Sequence, residues 1–105
     1  MSIITLTKEN FDNEVKESEK PMLIDFWASW CMPCRMLAPT VDEIANEATN
    51  FKVGKINVDD QPELAQAFGI MSIPTLVLIK NGKVVNKSSG VKPKEAILTM
   101  INSAI

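Results

Sequence analysis

The sequence predicts an α/β fold with a mixed central β-sheet and helices on both faces. Strand-like and helix-like segments alternate through the first half of the chain, which requires parallel pairing with helical crossovers. Further on, Asn81-Gly82 between two apolar-rich segments predicts a tight hairpin and therefore antiparallel strands. With 105 residues and no repeat or linker, we expect residues 1–105 to form a single domain. The predicted order is β-α-β-α-β-α-β-β-α.

The first two predicted elements are short. Residues 3–6 alternate weakly in polarity and predict a strand, and Thr7 follows as a candidate helix N-cap. Leu6 and Phe11 lie at the two positions whose contact fixes the start of a helix, and Val15 extends its apolar stripe. Packing alone explains this segment.

The second predicted strand is nearly continuous in apolar residues from Met22 to Ala28, which is typical of a central strand covered on both faces. Asp25 interrupts it. A carboxylate buried there is destabilising, or its pKa rises. A water-facing strand end would explain an Asp more simply, but apolar residues flank Asp25 on both sides. We therefore expect a buried, functional Asp25, with Lys55 of the next strand (residues 51–58) as its candidate partner.

A long helix is predicted from Pro33 onward. Pro39 lies inside it, removes one backbone hydrogen bond and predicts a kink. The apolar face expected to pack on the sheet comprises Leu37, Val41, Ile44, Ala45 and Ala48. The acids expected on the solvated face, without a further role, are Asp42, Glu43 and Glu47.

Turn and cap signals define the next elements. Pro62 predicts the start of a short helix and Gly69 its end. Strands over residues 76–79 and 83–86 flank the Asn81-Gly82 turn. The apolar face predicted for the short helix comprises Leu64, Ala67 and Phe68.

The chain closes with a predicted helix. Gly90-Val91 forms a turn before it, and Pro93 opens it. Its predicted apolar face comprises Ile97, Leu98, Ile101 and Ile105.

Charge and composition restrict the function. A net charge of −2 and a pI near 5.1 argue against nucleic acid or an anionic membrane surface as the main partner. All acids except Glu95 lie at or before Glu63, and the lysines that follow lie mainly around the predicted hairpin. We interpret these lysines as protection of a sheet edge rather than as a docking patch for an acidic partner.

The N-terminal residues 1–6 contain neither a basic region nor a long apolar segment typical of a secretion signal. No apolar run approaches the length of a membrane span. The expected compartment is therefore the cytoplasm, where neighbouring cysteines are more often catalytic than structural.

The stretch Trp30-Cys31-Met32-Pro33-Cys34 holds the only two cysteines of the chain. It lies between a predicted strand and a predicted helix, with Cys31 at or just before the helix N-terminus and Pro33 in the first turn. Free N–H groups and the helix dipole at that end favour an anion, and a thiolate is the anion available.

Three interpretations of this cysteine pair compete. A zinc site needs four ligands, but the chain has no histidine and no third cysteine, so a metal would have to bridge two chains or recruit carboxylates. A structural disulfide would close a very small loop, which stabilises little. A redox dithiol fits best, because an attacking and a resolving thiol must lie within bonding distance.

Several motifs, in this order along the chain, resemble the thioredoxin family over essentially the whole sequence. They are Asp25-Phe26-Trp27-Ala28, Trp30-Cys31-x-Pro33-Cys34, Ala38-Pro39, Lys55-x-Asn57-Val58-Asp59, Ile73-Pro74-Thr75, Asn81-Gly82 and Gly90. The resemblance implies the thioredoxin fold, a mixed sheet with helices on both faces.

The resemblance also implies the catalytic roles. Cys31 is similar to the exposed nucleophile of the family and Cys34 to its buried resolving thiol. Asp25 resembles the buried acid that helps to deprotonate Cys34 through water, with Lys55 beside it.

A substrate-binding rim follows from the same resemblance. Pro74 is similar to a family proline that is preceded by a cis bond and faces the dithiol, and a substrate strand would pair with the backbone at Ile73. The residues that match the rim are Trp30, Met32, Pro33, Ile73, Pro74, Gly90 and Val91.

The implied activity is that of a protein-disulfide reductase without a bound cofactor or metal. The implied partners are oxidised proteins and a flavoprotein thioredoxin reductase that uses NADPH, and we expect a monomer. Met32 departs from the family, which usually has Gly at this position. Alternatives are an oxidase or isomerase, a partner-specialised protein retuned by Met32, a binding module with an unused dithiol, and a metal-bridged dimer.

Overall fold

The computed structural model describes residues 3–105; Met1 and Ser2, part of the stretch considered above for a secretion signal, lie outside the described residues. The strands are β1 (Ile4–Thr5), β2 (Met22–Trp27), β3 (Lys52–Asn57), β4 (Thr75–Lys80) and β5 (Lys83–Ser89). The helices are a π-helical turn (Asp12–Lys16), α1 (Met32–Glu47), α2 (Pro62–Ala67) and α3 (Lys94–Ala104). The predicted order of elements is confirmed.

The five strands form one mixed sheet in the order β1-β3-β2-β4-β5. β3 pairs in parallel with both β1 and β2, whereas β4 is antiparallel to both β2 and β5. The parallel half thus comes from the segments joined by helical crossovers, and the antiparallel half from the hairpin, as predicted.

Helices cover both faces of the sheet because the side chains of β2 alternate between them. On one face, Leu23 packs with residues of α1 and α3, among them Leu37 and Ile97. On the other face, Ile24 and Phe26 pack against the π-helical turn and α2. β2 is therefore buried on both sides, as its apolar sequence predicted.

The first helical segment differs from the predicted α-helix. Its N-cap is Phe11, without a side-chain hydrogen bond, and not Thr7 as predicted. Thr7 instead closes the preceding turn, because Thr7 Oγ1 accepts from the Asn10 N–H at 3.3 Å and Asn10 Oδ1 accepts from the Thr7 N–H at 2.8 Å. The turn then widens, because the Glu17 N–H donates to the Asp12 carbonyl five residues back. Lys52 Nζ donates to the carbonyl of Glu14, in the middle of this turn, at 2.9 Å.

Two apolar faces were predicted partly wrongly. Ala67 and Ile105 are exposed, whereas Ala65 is half-buried and Ile97 and Ile101 are buried. Both exposed residues lie at the last position of a helix or just after it, where the chain no longer follows the face that packs on the sheet. α1 continues through Pro39, and the kink at Pro39 stays a prediction.

The hairpin is confirmed and longer than predicted. Asn81 and Gly82 both have positive φ, 55° and 76°, as a type I′ turn requires. β5 carries one extra residue, Val85, because Leu78 pairs with Asn86 while Ile79 pairs with Val84. Most side chains of β5 are exposed on both faces of the sheet.

Two acids of α1 have a role that the sequence did not predict. Lys94 Nζ, at the start of α3, donates to Glu43 at 2.7 Å and to Glu47 at 2.6 Å. These hydrogen bonds raise the pKa of Lys94 to about 12. The solvated face of α1 therefore helps to hold α3 in place, which corrects the expectation that Glu43 and Glu47 have no further role.

Candidate active site

The cysteine pair lies at the junction between β2 and α1, as predicted. β2 ends at Trp27, and Cys31 is the N-cap of α1 in an extended conformation, with Pro33 in the first turn. The Cys34 N–H donates to Cys31 Sγ at 3.2 Å. The same N–H would stabilise a Cys31 thiolate, together with the positive end of the helix dipole.

The two sulfur atoms are joined in a disulfide, with the Cα atoms 5.3 Å apart. The structure therefore shows the oxidised form of the pair. Among residues 3–105, no group of three or more His, Cys, Asp or Glu side chains is arranged to hold a metal ion.

Both cysteines are buried, which corrects the expectation of an exposed Cys31. The exposed fractions are 4% for Cys31 and 3% for Cys34. Val58 and Ile73, from distant segments of the chain, pack against the pair and cover it. The two cysteines still differ, because Cys31 lines an open groove and Cys34 does not.

The segment at Ile73-Pro74 faces the disulfide. The peptide bond between these residues is cis, and the Ile73 carbonyl oxygen lies 3.8 Å from Cys31 Sγ. A disulfide sulfur carries no proton, so this is a contact; a Cys31 thiol in the same place would be able to donate to that oxygen. The expectation that this segment lies against the dithiol is confirmed.

Backbone and side-chain hydrogen bonds fix the Ile73-Pro74 segment. The Gly90 N–H donates to the Pro74 carbonyl at 2.8 Å, and Thr75 Oγ1 donates to the Ser72 carbonyl at 2.7 Å. Gly90 has a φ of +89°, which favours glycine. Gly90, which the resemblance assigned to the rim, thus holds the Pro74 carbonyl in place.

A groove of about 480 Å³ opens beside Cys31. Four predicted rim residues line it, namely Trp30, Met32, Pro33 and Ile73, whereas Pro74, Gly90 and Val91 do not. The lining residues that the sequence did not predict are Val58, Ala65, Ile70, Met71 and Ser72. Among residues 3–105, none with a charged side chain lines the groove. Met71 and Ser72 directly precede Ile73-Pro74 in sequence, and this proximity could have predicted that they line the groove.

Trp30 is held at the groove by a polar partner that the sequence did not reveal. Trp30 is exposed, and its Nε1–H donates to Asp59 Oδ2 at 2.9 Å. Asp59 in turn has its backbone N–H bound to Asn57 Oδ1 at 2.9 Å. The motif that contains Asn57 and Asp59 resembles the family in sequence, but the contact of Asp59 with Trp30 depends on the tertiary fold.

Asp25 is buried in the centre of β2, as predicted, with an exposed fraction of 1%. Within residues 3–105 its Oδ1 atom has no hydrogen-bond partner. Burial is the main cause that raises the pKa of Asp25 to about 6; the nearby Lys55 lowers this pKa and Asp42 raises it. Asp25 therefore binds a proton about as readily as an ordinary histidine.

Lys55 lies directly opposite Asp25 in the β2–β3 register, but its ammonium group is turned elsewhere. Lys55 Nζ lies 4.0 Å from Asp42 Oδ1 and 5.9 Å from the centre of the Trp27 ring. In the described part of the chain it makes no ion pair with Asp25 within 4.0 Å. Lys55, the predicted partner, is therefore adjacent to Asp25 and acts on its pKa through its charge. Asp42 of α1 also acts on this pKa, which the sequence did not predict.

Known proteins are similar to this chain over nearly its full length. A protein-family model described as Thioredoxin matches residues 2–103. A protein named Thioredoxin from Alicyclobacillus acidocaldarius subsp. acidocaldarius is 50% identical over 95 residues, 90% of this chain and 90% of that protein. Proteins of the same name from Mycobacterium tuberculosis (strain ATCC 25618 / H37Rv) and Pyropia yezoensis are each 46% identical, over 103 and 106 residues. These alignments cover 97% and 100% of this chain, and 89% and 99% of the relatives.

Proposed function

The chain belongs to the thioredoxin family, and on that premise we propose that Cys31 is the attacking sulfur and Cys34 the resolving sulfur of its reaction. The protein is a thiol-disulfide oxidoreductase that reduces protein disulfides by dithiol–disulfide exchange. One observation carries the assignment of roles. Cys31 lines the groove and is already bonded to Cys34, which does not line it.

The reaction proceeds in two exchanges. The Cys31 thiolate attacks one sulfur of the target disulfide, forms a mixed disulfide and releases the first target thiolate. The Cys34 thiolate then attacks Cys31 Sγ, releases the second target thiolate and leaves the Cys31–Cys34 disulfide. Two electrons pass to the target, and this chain ends in the state that the structure shows.

Asp25 is the proposed acceptor of the Cys34 proton, by way of water. Asp25 points to the face of the sheet on which α1 packs, and Cys34 lies in the first turn of α1. A pKa of about 6 leaves most of Asp25 ionised at neutral pH and able to accept a proton. Lys55 is the proposed modulator of that proton affinity through its charge.

The apolar groove is the proposed binding site of the substrate protein. Trp30, Met32, Pro33 and Ile73 supply contact area, and the Ile73 backbone pairs with an extended substrate segment. Pro74, Gly90 and Val91 are also proposed rim residues, although they do not line the groove; the Gly90 N–H holds the Pro74 carbonyl, and Val91 is exposed.

Partners and compartment are further proposals. A member of this family reduces oxidised proteins and is itself reduced by a partner reductase; we propose a flavoprotein that draws on NADPH, with no cofactor bound to this chain. Across the described residues, every helix is too short or too polar to cross a bilayer. We further propose that residues 1–105 act in the cytoplasm as a monomeric single domain.

A trapping experiment tests the two cysteine roles. With an insulin-type disulfide as substrate, Cys34→Ser is expected to accumulate a covalent mixed disulfide, visible on a non-reducing gel, and to lose turnover. The matched variant Cys31→Ser is expected to form no such adduct at residue 34. Sustained turnover by Cys34→Ser would refute the resolving role.

The reduction potential separates a reductase from the oxidase or isomerase alternative. We expect the Cys31–Cys34 couple, equilibrated against glutathione and followed by Trp27 and Trp30 fluorescence, to lie well below the potential of the glutathione pool. Met32 carries no charge or strong donor that would stabilise the Cys31 thiolate. A potential above the glutathione pool would make Met32 a retuning substitution and favour disulfide formation.

A further inference from the structure

Two exposed methionines flank the groove, Met32 from α1 and Met71 from the loop before Ile73. Their exposed fractions are 61% and 97%. Both line the groove beside Cys31. Thioethers are flexible and polarisable, which suits contact with varied apolar surfaces, but they are also oxidisable.

The other described methionines differ in place or exposure. Met22 is buried in the core and Met100 is half-buried. Met36 is 64% exposed, as much as Met32, and lies one helical turn further along α1, but it does not line the groove. Met36 is therefore a control for exposure without contact with the groove.

We propose that Met32 and Met71 form a hydroperoxide-sensitive modification site, whose oxidation to methionine sulfoxide weakens binding of substrate proteins while the dithiol stays intact. This inference rests on the proposed function of the groove as the binding site of the substrate protein. In each reaction the thioether sulfur attacks one peroxide oxygen, an S–O bond forms and the O–O bond breaks. The sulfur gives up two electrons, and the second oxygen leaves as water or an alcohol with the proton of the peroxide.

The disulfide form directs the oxidant to these sulfurs. A thiolate is the more reactive sulfur nucleophile, but neither cysteine has one while the Cys31–Cys34 bond is closed. Both cysteines are also buried. In the disulfide form, the exposed thioethers are therefore the accessible oxidisable sulfurs of the rim.

A sulfoxide in this groove would have few hydrogen-bond donors within reach once substrate covers it. The sulfoxide oxygen is a hydrogen-bond acceptor, but the Trp30 Nε1–H is already bound to Asp59. Among the described residues, the lining offers one side-chain hydroxyl, that of Ser72, and no charged donor. Covering an acceptor without a donor weakens binding, so we expect KM to rise on the order of tenfold with kcat little changed.

The test uses the full chain in its disulfide form, treated with hydrogen peroxide. Peptide mass spectrometry first locates the sulfoxides, which are expected at Met32, Met71 and Met36 before Met22. After the peroxide is removed and the dithiol is reduced, KM and kcat are measured with a protein disulfide and with a small aromatic disulfide. We expect KM to rise for the protein substrate and to change little for the small one.

Two variants assign the effect to the groove. In Met32→Leu/Met71→Leu, the ratio of KM after and before peroxide is expected to stay near one. Met36→Leu is expected to match the native chain before and after treatment. A methionine sulfoxide reductase is expected to restore the native KM.

The inference is overturned if both groove sulfoxides form and KM for the protein substrate is unchanged. It is equally overturned if the double leucine variant loses affinity as the native chain does. Failure of the proposed function would look different, because the untreated protein would then fail to reduce the protein disulfide.

Discussion

The two sides of the Cys31–Cys34 disulfide offer unlike surroundings. The outer side is a groove whose lining, in the part of the chain that the structure describes, consists of apolar and small polar side chains. The inner side, under α1, holds the buried Asp25 with Lys55 and Asp42 around it. The outer side is therefore suited to contact with other proteins, and the inner side to control of a proton. Inner variants should change pH dependence, and outer variants should change KM.

Asp25→Asn is expected to have the largest effect. Between about pH 4 and 6, folded Asp25 binds more protons than unfolded Asp25, so its contribution to the free energy of unfolding falls as pH rises. A rise in pKa from 3.8 to about 6 corresponds to roughly 3 kcal/mol of destabilisation above pH 6. Because Asn is also a polar group in a buried place, the variant should gain somewhat less, roughly 2 kcal/mol at neutral pH, and lose this pH dependence, while turnover slows.

Urea melts from pH 3 to 8 check this prediction, with turnover measured at the same pH values. Unchanged or lower stability of Asp25→Asn at pH 7 would contradict the buried carboxylate. An increase in KM without a change in pH profile would contradict the assignment of Asp25 to the inner side.

Met71→Lys is expected to have the next largest effect, on the outer side. A charge that substrate must cover or displace should raise KM about fivefold, with the pH profile of stability unchanged. Met36→Lys, also on the surface but outside the groove, is the matched control. Similar KM values for both variants would show that general surface charge, and not the groove, governs binding.

Trp30→Phe should give a smaller effect on the same side. It keeps an aromatic ring but removes the Nε1–H that donates to Asp59. A hydrogen bond of this kind contributes roughly 1 kcal/mol, and the site is exposed, so KM should rise about twofold to threefold. Steady-state kinetics on a protein disulfide measure this, and a change in kcat alone would argue for a catalytic role.

Asp42→Asn should have the smallest effect, on the inner side. Asp42 raises the pKa of Asp25, and its removal also leaves Lys55 without its nearest carboxylate. The pKa of folded Asp25 should therefore fall. The decrease in the free energy of unfolding with rising pH should then be smaller and end at a lower pH. Glu47→Gln on the same helix, which removes a partner of Lys94 instead, should leave that pH profile unchanged. A shift with Glu47→Gln alone would contradict this account.

The sequence was sufficient for the order of elements and for two residues of the inner site, Asp25 and Lys55, but not for Asp42. Alternating strands and helices, the Asn81-Gly82 turn and the long apolar strand predicted the order of elements and the mixed sheet. Asp25 was recognised because a carboxylate in such a strand conflicts with its neighbours. These signals depend on residues that are close in sequence, so they could be interpreted without the structure.

The tertiary contacts were not predictable in the same way. Cys31 is buried because Val58 and Ile73 cover it, and neither residue is close to it in sequence. Lys55 reaches past Asp25 to Asp42, which depends on how α1 lies over the sheet. Met71 belongs to the groove because its loop folds beside Cys31. Each of these depends on distances between elements that periodicity does not define.

The two edges of the sheet limit how the protein can associate with copies of itself. β1 has only two paired residues, and β5 is broken by the extra residue Val85 and carries the exposed Lys83 and Lys87. A second copy that added a strand to the β1 edge would find few residues to pair with. At the β5 edge it would meet a bulged strand with positive charge. A protein that recognises extended chains through its own backbone risks polymerising by the same contact. Strand addition between copies of the chain is therefore disfavoured at both edges, whereas the proposed pairing of a substrate segment uses the Ile73 backbone, which precedes the interior strand β4.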